Sequence, residues 1–354
     1  MNYEIKKNKL LLRMKKKKMK NISRNIKKYI FFYLIIIFIF LFIYYLIFNK
    51  SLFSNGKNIM EQTQKYNSKI SIILPTYNRE KIIGDSIKSC LNQTYKNIEI
   101  IVVDDCSTDN TKEEIEKIKD IRIKYIKLSK HKGASYARNV GIKNAIGNYI
   151  SFIDSDDIFL PTKLEKQLNN LIKNNSDFDF CRVEIFNEGT FLELVPNENR
   201  TKEIKNGNIY NEMLTNGNFI STQAILVKKS YIEKYLFDED MPRLQDYELL
   251  IRMLPEVKAS YTNETLAYSY IQSDSIYNDR YRIIRACYKL LNKNYSLNIE
   301  QKTNFTKYLK KVIFNNKARM YFNKNRFNNT RIRRNILHRY HRFNLYFHKN
   351  NSHF

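Results

Sequence analysis

From residue 70 to residue 153, short β-branched or aromatic runs alternate with amphipathic helical stretches, and that alternation constrains the fold more than any other feature. The runs 70–74, 98–103, 121–128 and 149–153 have the length and residue types of buried strands. Between them, 80–91, 111–118 and 134–145 carry apolar residues at helical spacing. Strands separated by helices in this way predict an α/β fold with a doubly wound, mostly parallel sheet flanked by helices. In such sheets a ligand sits beyond the carboxyl ends of the strands, so the residues ending each strand come first in a search for function.

Those ends are rich in chemistry. The first strand runs into Pro75-Thr76-Tyr77-Asn78-Arg79-Glu80 and the second into Asp104-Asp105-Cys106-Ser107-Thr108-Asp109. The third leads to Gly133-Ala134-Ser135-Tyr136-Ala137-Arg138-Asn139, and the fourth ends Asp154-Ser155-Asp156-Asp157. One sheet edge thus gathers several carboxylates around one arginine, Arg138. No G-x-G-x-x-G follows the first strand and no G-x-x-x-x-G-K-[ST] occurs, which disfavours a dinucleotide fold and a P-loop. Cys90, Cys106, Cys181 and Cys287 form no C-x-x-C pair, which rules out a zinc ribbon and gives no disulfide framework. Four of the five histidines lie in the basic tail, so a His-based metal or Ser-His site is disfavoured.

The net charge of +27 invites a nucleic-acid reading until it is located. Residues 1–50 hold 13 Lys/Arg against the single acid Glu4, and residues 280–354 hold 19 against the single acid Glu300. The middle, 51–279, carries 30 bases and 33 acids and is close to neutral, which argues against nucleic acid as a partner.

Residues 29–48 are twenty positions without a charge, enough for a helix of about 30 Å, and predict a single-pass N-terminal membrane anchor. A cleaved signal peptide is the weaker alternative, because the apolar run is too long and no small-x-small site follows it. Eight basic residues between Lys15 and Lys28 precede the run, whereas Lys50 and Lys57 follow it. The positive-inside rule then puts the N-terminus in the cytoplasm and the rest across the membrane. The basic tail pulls the other way, toward anionic lipid on the cytoplasmic side, but long domains translocate largely regardless of their own charge. The expected organisation is a basic segment 1–28, the anchor 29–48, a polar linker 49–68, a catalytic domain 69–275 and a basic helical region 276–354. That last region reads equally as a surface that lies on anionic membrane lipid or holds a lipid-linked acceptor, and as a solvated helical tail.

The segments SIILPTYNRE, VVDDCSTDNT, GASYARNVGI, YISFIDSDDIFLP and RLQDYELLIR occur in the order and spacing of family 2 glycosyltransferases of the GT-A fold, which the chain resembles over roughly 69–275. The resemblance implies a nucleotide-diphosphate sugar donor, a divalent cation (Mn²⁺ or Mg²⁺) and an inverting transfer to a hydroxyl of a glycan or lipid-linked acceptor. The chain has no Trp, so the Gln-x-x-Arg-Trp motif of processive polysaccharide synthases is absent and one sugar per acceptor is expected.

Residue by residue, the resemblance implies that Pro75, Thr76 and Tyr77 line the base and ribose with Glu80 close by, and that Asp105 accepts from the pyrimidine base while Asp104 supports the loop. An acceptor-only carboxylate suits an imide N–H such as that of uracil. Arg138 would fork onto the diphosphate or the base edge. Asp156 would bind the cation directly, with Asp154 facing the ribose or the metal. The competing view of these acids is an N-cap cluster for the helix around Lys163, a role that suits Asp157 and Pro161 better. Asp246, in Leu244-Gln245-Asp246-Tyr247-Glu248, is expected to be the catalytic base, one carboxylate on the acceptor side being what inverting transfer needs. Many relatives carry Glu-Asp where this chain has Gln245-Asp246. The competing view is a helix N-cap. A membrane-anchored binding protein on the same fold is the alternative function, and the intact Asp156 and Asp246 argue against it.

Overall fold

The computed structural model describes residues 19, 31–33, 35–45, 68–205, 209–272 and 279–324. Two compact units divide at Gln64 and Lys65. In the first, the described residues 31–33 and 35–45 are helical and exposed.

The expected membrane anchor is corrected here. Among the described residues no helix is long and apolar enough to cross a membrane. A run without charges shows that residues could enter lipid, not that they form one continuous spanning helix. The single-pass localisation and the side of the membrane assigned to the rest both fall with it. The segments 1–18 and 49–67 lie outside the described residues.

The second unit is built on a nine-stranded sheet. β1 (Ile70–Thr76) and β2 (Ile98–Asp104) are wholly buried and pair in parallel from Ile70↔Ile98 to Thr76↔Asp104. Burial on both faces explains why they read as continuous apolar runs rather than alternating ones. β3 (Ile123–Lys127) joins β2, and β4 (Tyr149–Phe152) joins β1 on its other side, all in parallel. The connecting helices are α1 (Ile83–Leu91), α2 (Thr111–Glu116) and α3 (Ala134–Asn144). Gly141 lets α3 lie tight on β1, because a Cβ there would fall 2.5 Å from Ile73 Cγ2. This half follows the predicted alternation, with element ends shifted by one to three residues: β1 and β2 run longer than predicted and the other ends are shorter.

The other half of the sheet is mixed. β5 (Ile158–Phe159) and α4 (Lys163–Asn174) follow the acidic turn. β6 (Phe178–Asn187) and β7 (Thr190–Val195) form a hairpin, followed by α5 (Glu198–Lys205) and α6 (Ile209–Asn216). Next come β8 (Ile225–Lys228), α7 (Lys229–Tyr235), α8 (Gln245–Met253) and β9 (Ala259–Ile271). β8 is antiparallel to both β4 and β6, β9 is parallel to β6, and β5 is antiparallel to β9, so the sheet is parallel only in part.

The described part of the C-terminal region packs on the domain and is not a free solvated tail. α9 (Arg280–Asn292) and α10 (Ile299–Lys324) bury Ile284, Cys287, Leu290, Phe305, Leu309 and Ile313 in the core of the same unit. Residues 325–354 lie outside the described residues.

Between α4 and the sheet lies a buried polar network. Asp179 accepts from Ser260 Oγ at 2.7 Å, Thr262 Oγ1 at 2.8 Å, Asn170 Nδ2 at 2.7 Å and Gln167 Nε2 at 3.0 Å. Gln167 in turn accepts from the buried Lys163 ammonium at 2.6 Å. Burial pushes the Asp179 carboxyl up to about 6 despite these donors. A folded-state value above the unfolded one means that the native protein binds more protons in that window, so stability falls as pH rises from about 4 to 6. The expected loss from this group is roughly 3 kcal/mol, at about 1.4 kcal/mol for each tenfold change in proton affinity. Urea unfolding at pH 4 and pH 7 should show that Asp179→Asn removes this share of the pH dependence. An unchanged difference between the two pH values would show that Asp179 does not titrate in this window.

Candidate active site

The parallel register sets Thr76 beside Asp104, so the loops leaving β1 and β2 start at the same level. They are laced together. Asp105 N–H donates to the Thr76 carbonyl at 2.8 Å, and Ser107 Oγ accepts from Asn78 N–H at 2.9 Å. Thr108 N–H donates to Asn78 Oδ1 at 2.9 Å. Asn78 (φ +51°) and Cys106 (φ +70°) turn in the left-handed region to make this possible. Asp104 is fully buried and accepts from Ser107 N–H at 2.7 Å and from the Tyr125 hydroxyl at 2.6 Å, which ties it to its own loop and to β3.

Asp105 reaches the entry of α3 instead of standing free. Its two oxygens accept the backbone N–H groups of Lys132 (2.7 Å) and Gly133 (2.6 Å), the second with φ +92°. His131 Nδ1 lies 2.9 Å from Asp105 Oδ2, and its ring packs on Tyr77 with centroids 4.3 Å apart. His131 is therefore part of the same corner as Tyr77 and Asp105, although by sequence it reads as an ordinary loop residue. Tyr77 is 39% exposed, whereas Pro75 and Thr76 are buried. Glu80 faces the α2 loop, where its Oε2 accepts from Asn110 N–H at 3.1 Å and Asn110 Nδ2 at 3.0 Å. That places it as a brace between the two loops.

α3 presents Arg138 and Asn139 side by side with different tasks. Arg138 is buried, its Nη2 lies 2.5 Å from Asp154 Oδ1, and its guanidinium sits 5.4 Å from the Phe237 ring centroid. Asn139 grips the backbone of Phe237 at both ends, accepting from its N–H at 2.8 Å and donating to its carbonyl at 2.9 Å. A third bond reaches Glu239 Oε1 at 2.9 Å. This clasp spans nearly a hundred residues of sequence, and no local pattern marks it.

The acidic turn after β4 does not cap α4. The residue before that helix is Thr162, and no side chain caps it. Asp157 is buried and accepts from Tyr270 N–H of β9 at 3.1 Å, tying the turn to the far strand. Burial, and then the charges of Asp154 and Asp156, push its carboxyl well above the ordinary range. Asp154 stays 37% exposed on its side chain.

Asp246 is not an N-cap either. It is the second residue of α8, which starts after Leu244 in a left-handed conformation (φ +61°). Its Oδ1 accepts from Tyr247 N–H at 2.8 Å and its Oδ2 from Asn218 Nδ2 at 2.9 Å. Burial pushes this carboxyl up; the Tyr247 N–H, the Arg138 charge and the Asn218 amide pull it back, and the Asp154 charge pushes it up further. Arg138, Asp154 and Asp246 are thus within electrostatic reach of one another. Thr76 Oγ1, Ser135 Oγ and Arg138 Nε, on the same strand-end elements, are buried with no hydrogen-bond partner in the protein.

The profile of "Glycosyl transferase family 2" matches residues 71–236. An uncharacterised glycosyltransferase of Haemophilus influenzae is 34% identical over 222 residues, 60% of this chain and 83% of the relative. The chain belongs to glycosyl transferase family 2. A second relative is WfgD of Escherichia coli, a UDP-Glc:alpha-D-GlcNAc-diphosphoundecaprenol beta-1,3-glucosyltransferase, 35% identical over 195 residues, 55% of this chain and 73% of the relative. Among solved structures, Staphylococcus aureus TarS 1-349 in complex with UDP-GlcNAc superposes with a TM-score of 0.53 at 20% identity, over 68% of this chain and 71% of that one. That likeness supports the GT-A fold.

Within this family 2 domain, the Asn139 clasp holds the segment 237–239 that leads toward α8. Asn139→Ala orphans the buried N–H and carbonyl of Phe237 and should cost about 1–3 kcal/mol of stability. Urea unfolding of the variant measures it; a change below about 0.5 kcal/mol, the usual range for surface substitutions, would mean that the clasp is not formed.

Proposed function

We propose that this chain is an inverting, metal-dependent glycosyltransferase that moves one sugar from a nucleotide-diphosphate donor, a UDP-sugar, to a hydroxyl of a glycan or lipid-linked acceptor. The observation that carries the reading is the convergence of Arg138, Asp154 and Asp246 from three separate elements at the carboxyl edge of the sheet. The activity of the relative WfgD supports the class of donor and of acceptor.

In this reading Tyr77 and Asp105 receive the base, with Pro75 and Thr76 forming the floor beneath it. Asp105 keeps lone pairs for an imide N–H after accepting its two backbone donors, since each carboxylate oxygen accepts more than once. Glu80 contributes by bracing the loop. Arg138, already paired with Asp154 and with a buried Nε lacking a partner, has a donor to offer the diphosphate. Asp246 takes the proton of the acceptor hydroxyl as that oxygen attacks the anomeric carbon. Its burial raises its basicity above that of an ordinary carboxylate, which suits a general base.

Among the described residues no group of three or more His, Cys, Asp or Glu side chains could hold a metal ion. Two carboxylates are nevertheless the donor set of a hard cation that takes its remaining ligands from phosphate oxygens and water. Asp156 and Asp154 would hold Mn²⁺ or Mg²⁺ in this way. When bound, the cation supplies charge neutralisation of the departing diphosphate.

Screening a panel of nucleotide sugars for donor hydrolysis and transfer tests the proposal as a whole. Asp156→Ala should abolish activity, and wild-type activity should vanish in EDTA and return with Mn²⁺ or Mg²⁺. Full turnover in excess chelator would remove the metal from the mechanism. Asp246→Asn should retain UDP binding while transfer falls by about 10²–10⁴-fold, the usual worth of general-base catalysis. Turnover within about tenfold of wild type would mean that another group takes the proton.

A further inference from the structure

We propose that Asn218 is a positioning residue that sets the orientation of the Asp246 carboxylate toward the acceptor. The inference rests on the reading of Asp246 as the base.

The sense of the Asn218 amide is fixed by its neighbours. Its Oδ1 accepts from the Ile220 backbone N–H at 3.1 Å, and a backbone N–H can only donate. The other end of the amide is therefore the NH₂, and Nδ2 faces Asp246 Oδ2 at 2.9 Å. Asp246 Oδ1 is held from the other side by Tyr247 N–H at 2.8 Å. Each carboxylate oxygen thus has one protein donor and keeps a further lone pair, so the plane of the carboxylate is fixed while both oxygens can still accept from a hydroxyl. Without Asn218 the carboxylate would be held at one oxygen only and could rotate toward Arg138, the cation whose charge reaches it.

Asn218 can do this because its own backbone is clamped. Gly217 ends α6 with φ +88°, and its N–H donates to the Met213 carbonyl at 2.9 Å. A Cβ at Gly217 would lie 2.0 Å from the Tyr308 hydroxyl oxygen of α10, so a residue without a side chain is required there. Arg200 of α5 donates to the carbonyls of Asn216 at 2.6 Å and Gly217 at 3.4 Å, and its guanidinium lies 5.3 Å from the Phe219 ring centroid. Two helices thus hold the turn from which Asn218 reaches the base. The triplet Asn216-Gly217-Asn218 reads in sequence as a plain turn. Only the long-range partner, 28 positions away, gives Asn218 a role in the chemistry.

A double-mutant cycle on the full chain separates positioning from a structural turn role. The four proteins are wild type, Asn218→Ala, Asp246→Asn and the double variant. They are assayed for transfer from UDP-glucose to a prenyl-diphosphate-linked GlcNAc, and for UDP affinity by calorimetry. Asn218→Ala should lower kcat for transfer by about 10- to 100-fold, the worth of a hydrogen bond to a charged group, with the UDP Kd within twofold of wild type. In the Asp246→Asn background the same substitution should change transfer by less than about threefold, because there is no longer a base to position. Asn218→Asp keeps the acceptor for Ile220 N–H but puts an oxygen against Asp246, and should lower transfer at least as far at the same UDP Kd. An equal loss in both backgrounds would make Asn218 a structural turn residue and overturn the inference. If Asp246→Asn collapses transfer while Asn218→Ala and Asn218→Asp both stay within twofold, this inference alone fails. If wild type does not transfer, or Asp246→Asn transfers as wild type does, the base reading fails and takes this one with it.

Discussion

Thr76 ends its strand directly opposite Asp104, and the rest of the site depends on that register. A parallel pair brings both loops to one edge, and β4, running beside β1 in the same direction, adds the acidic turn there. The cost is electrostatic, since several carboxylates are brought to one edge and some are desolvated. Each is managed differently. Asp105 is held by two backbone N–H groups at the start of α3, Asp154 pairs with Arg138, and burial among its neighbours favours the protonated form of Asp157. Asp104 faces a hydroxyl and an amide. Taken together, these arrangements leave Arg138 as the nearby cation that pairs with the turn and also bears on Asp246.

The helix that carries Asp246 is supported by later parts of the chain. Tyr247, next to Asp246, sends its hydroxyl to the Met213 carbonyl of α6, and its ring meets Phe305 and Tyr308 of α10 edge-on. Glu248, fully buried, is neutralised by Arg252 along the helix and by Lys293 from beyond α9. Truncating one partner of such a buried pair is costly because it strands the other charge. The basic C-terminal helices therefore act as the wall behind the helix that carries Asp246. Part of their positive charge answers acids of the core, which a count of net charge by segment does not reveal.

The fold was legible to different depths in different places. β1, β2 and β4 can be read directly because strands buried on both faces leave dense apolar runs. Within 158–271 only the helices around Lys163 and Asp246 can be read from sequence; the strands there cannot, since short strands that exchange parallel for antiparallel partners have no fixed hydrophobic period. At the candidate site, Arg138, Asp154 and Asp246 lie within electrostatic reach of one another, and Asp105 sits at the entry of the helix that carries Arg138. Glu80 turned out to brace a loop, and Asp157 to hold β9, because a carboxylate's partner is chosen in three dimensions. The twenty apolar residues at 29–48 pointed to a spanning helix, yet no described helix is long enough to cross. Hydropathy sums composition and does not test helical continuity.

By itself the sequence determined the order of the parallel strands' loops and the types of charge at their ends. Strand length and residue type are local properties, and a carboxylate or guanidinium is the same group wherever it lies. The tertiary structure alone decided which of those groups meet. Asn139 closing on Phe237, His131 packing on Tyr77, and Asn218 reaching Asp246 are contacts between segments whose separation in sequence carries no information about distance in space. Hydrogen-bond geometry is set within tenths of an ångström, and only the packed chain fixes positions that finely.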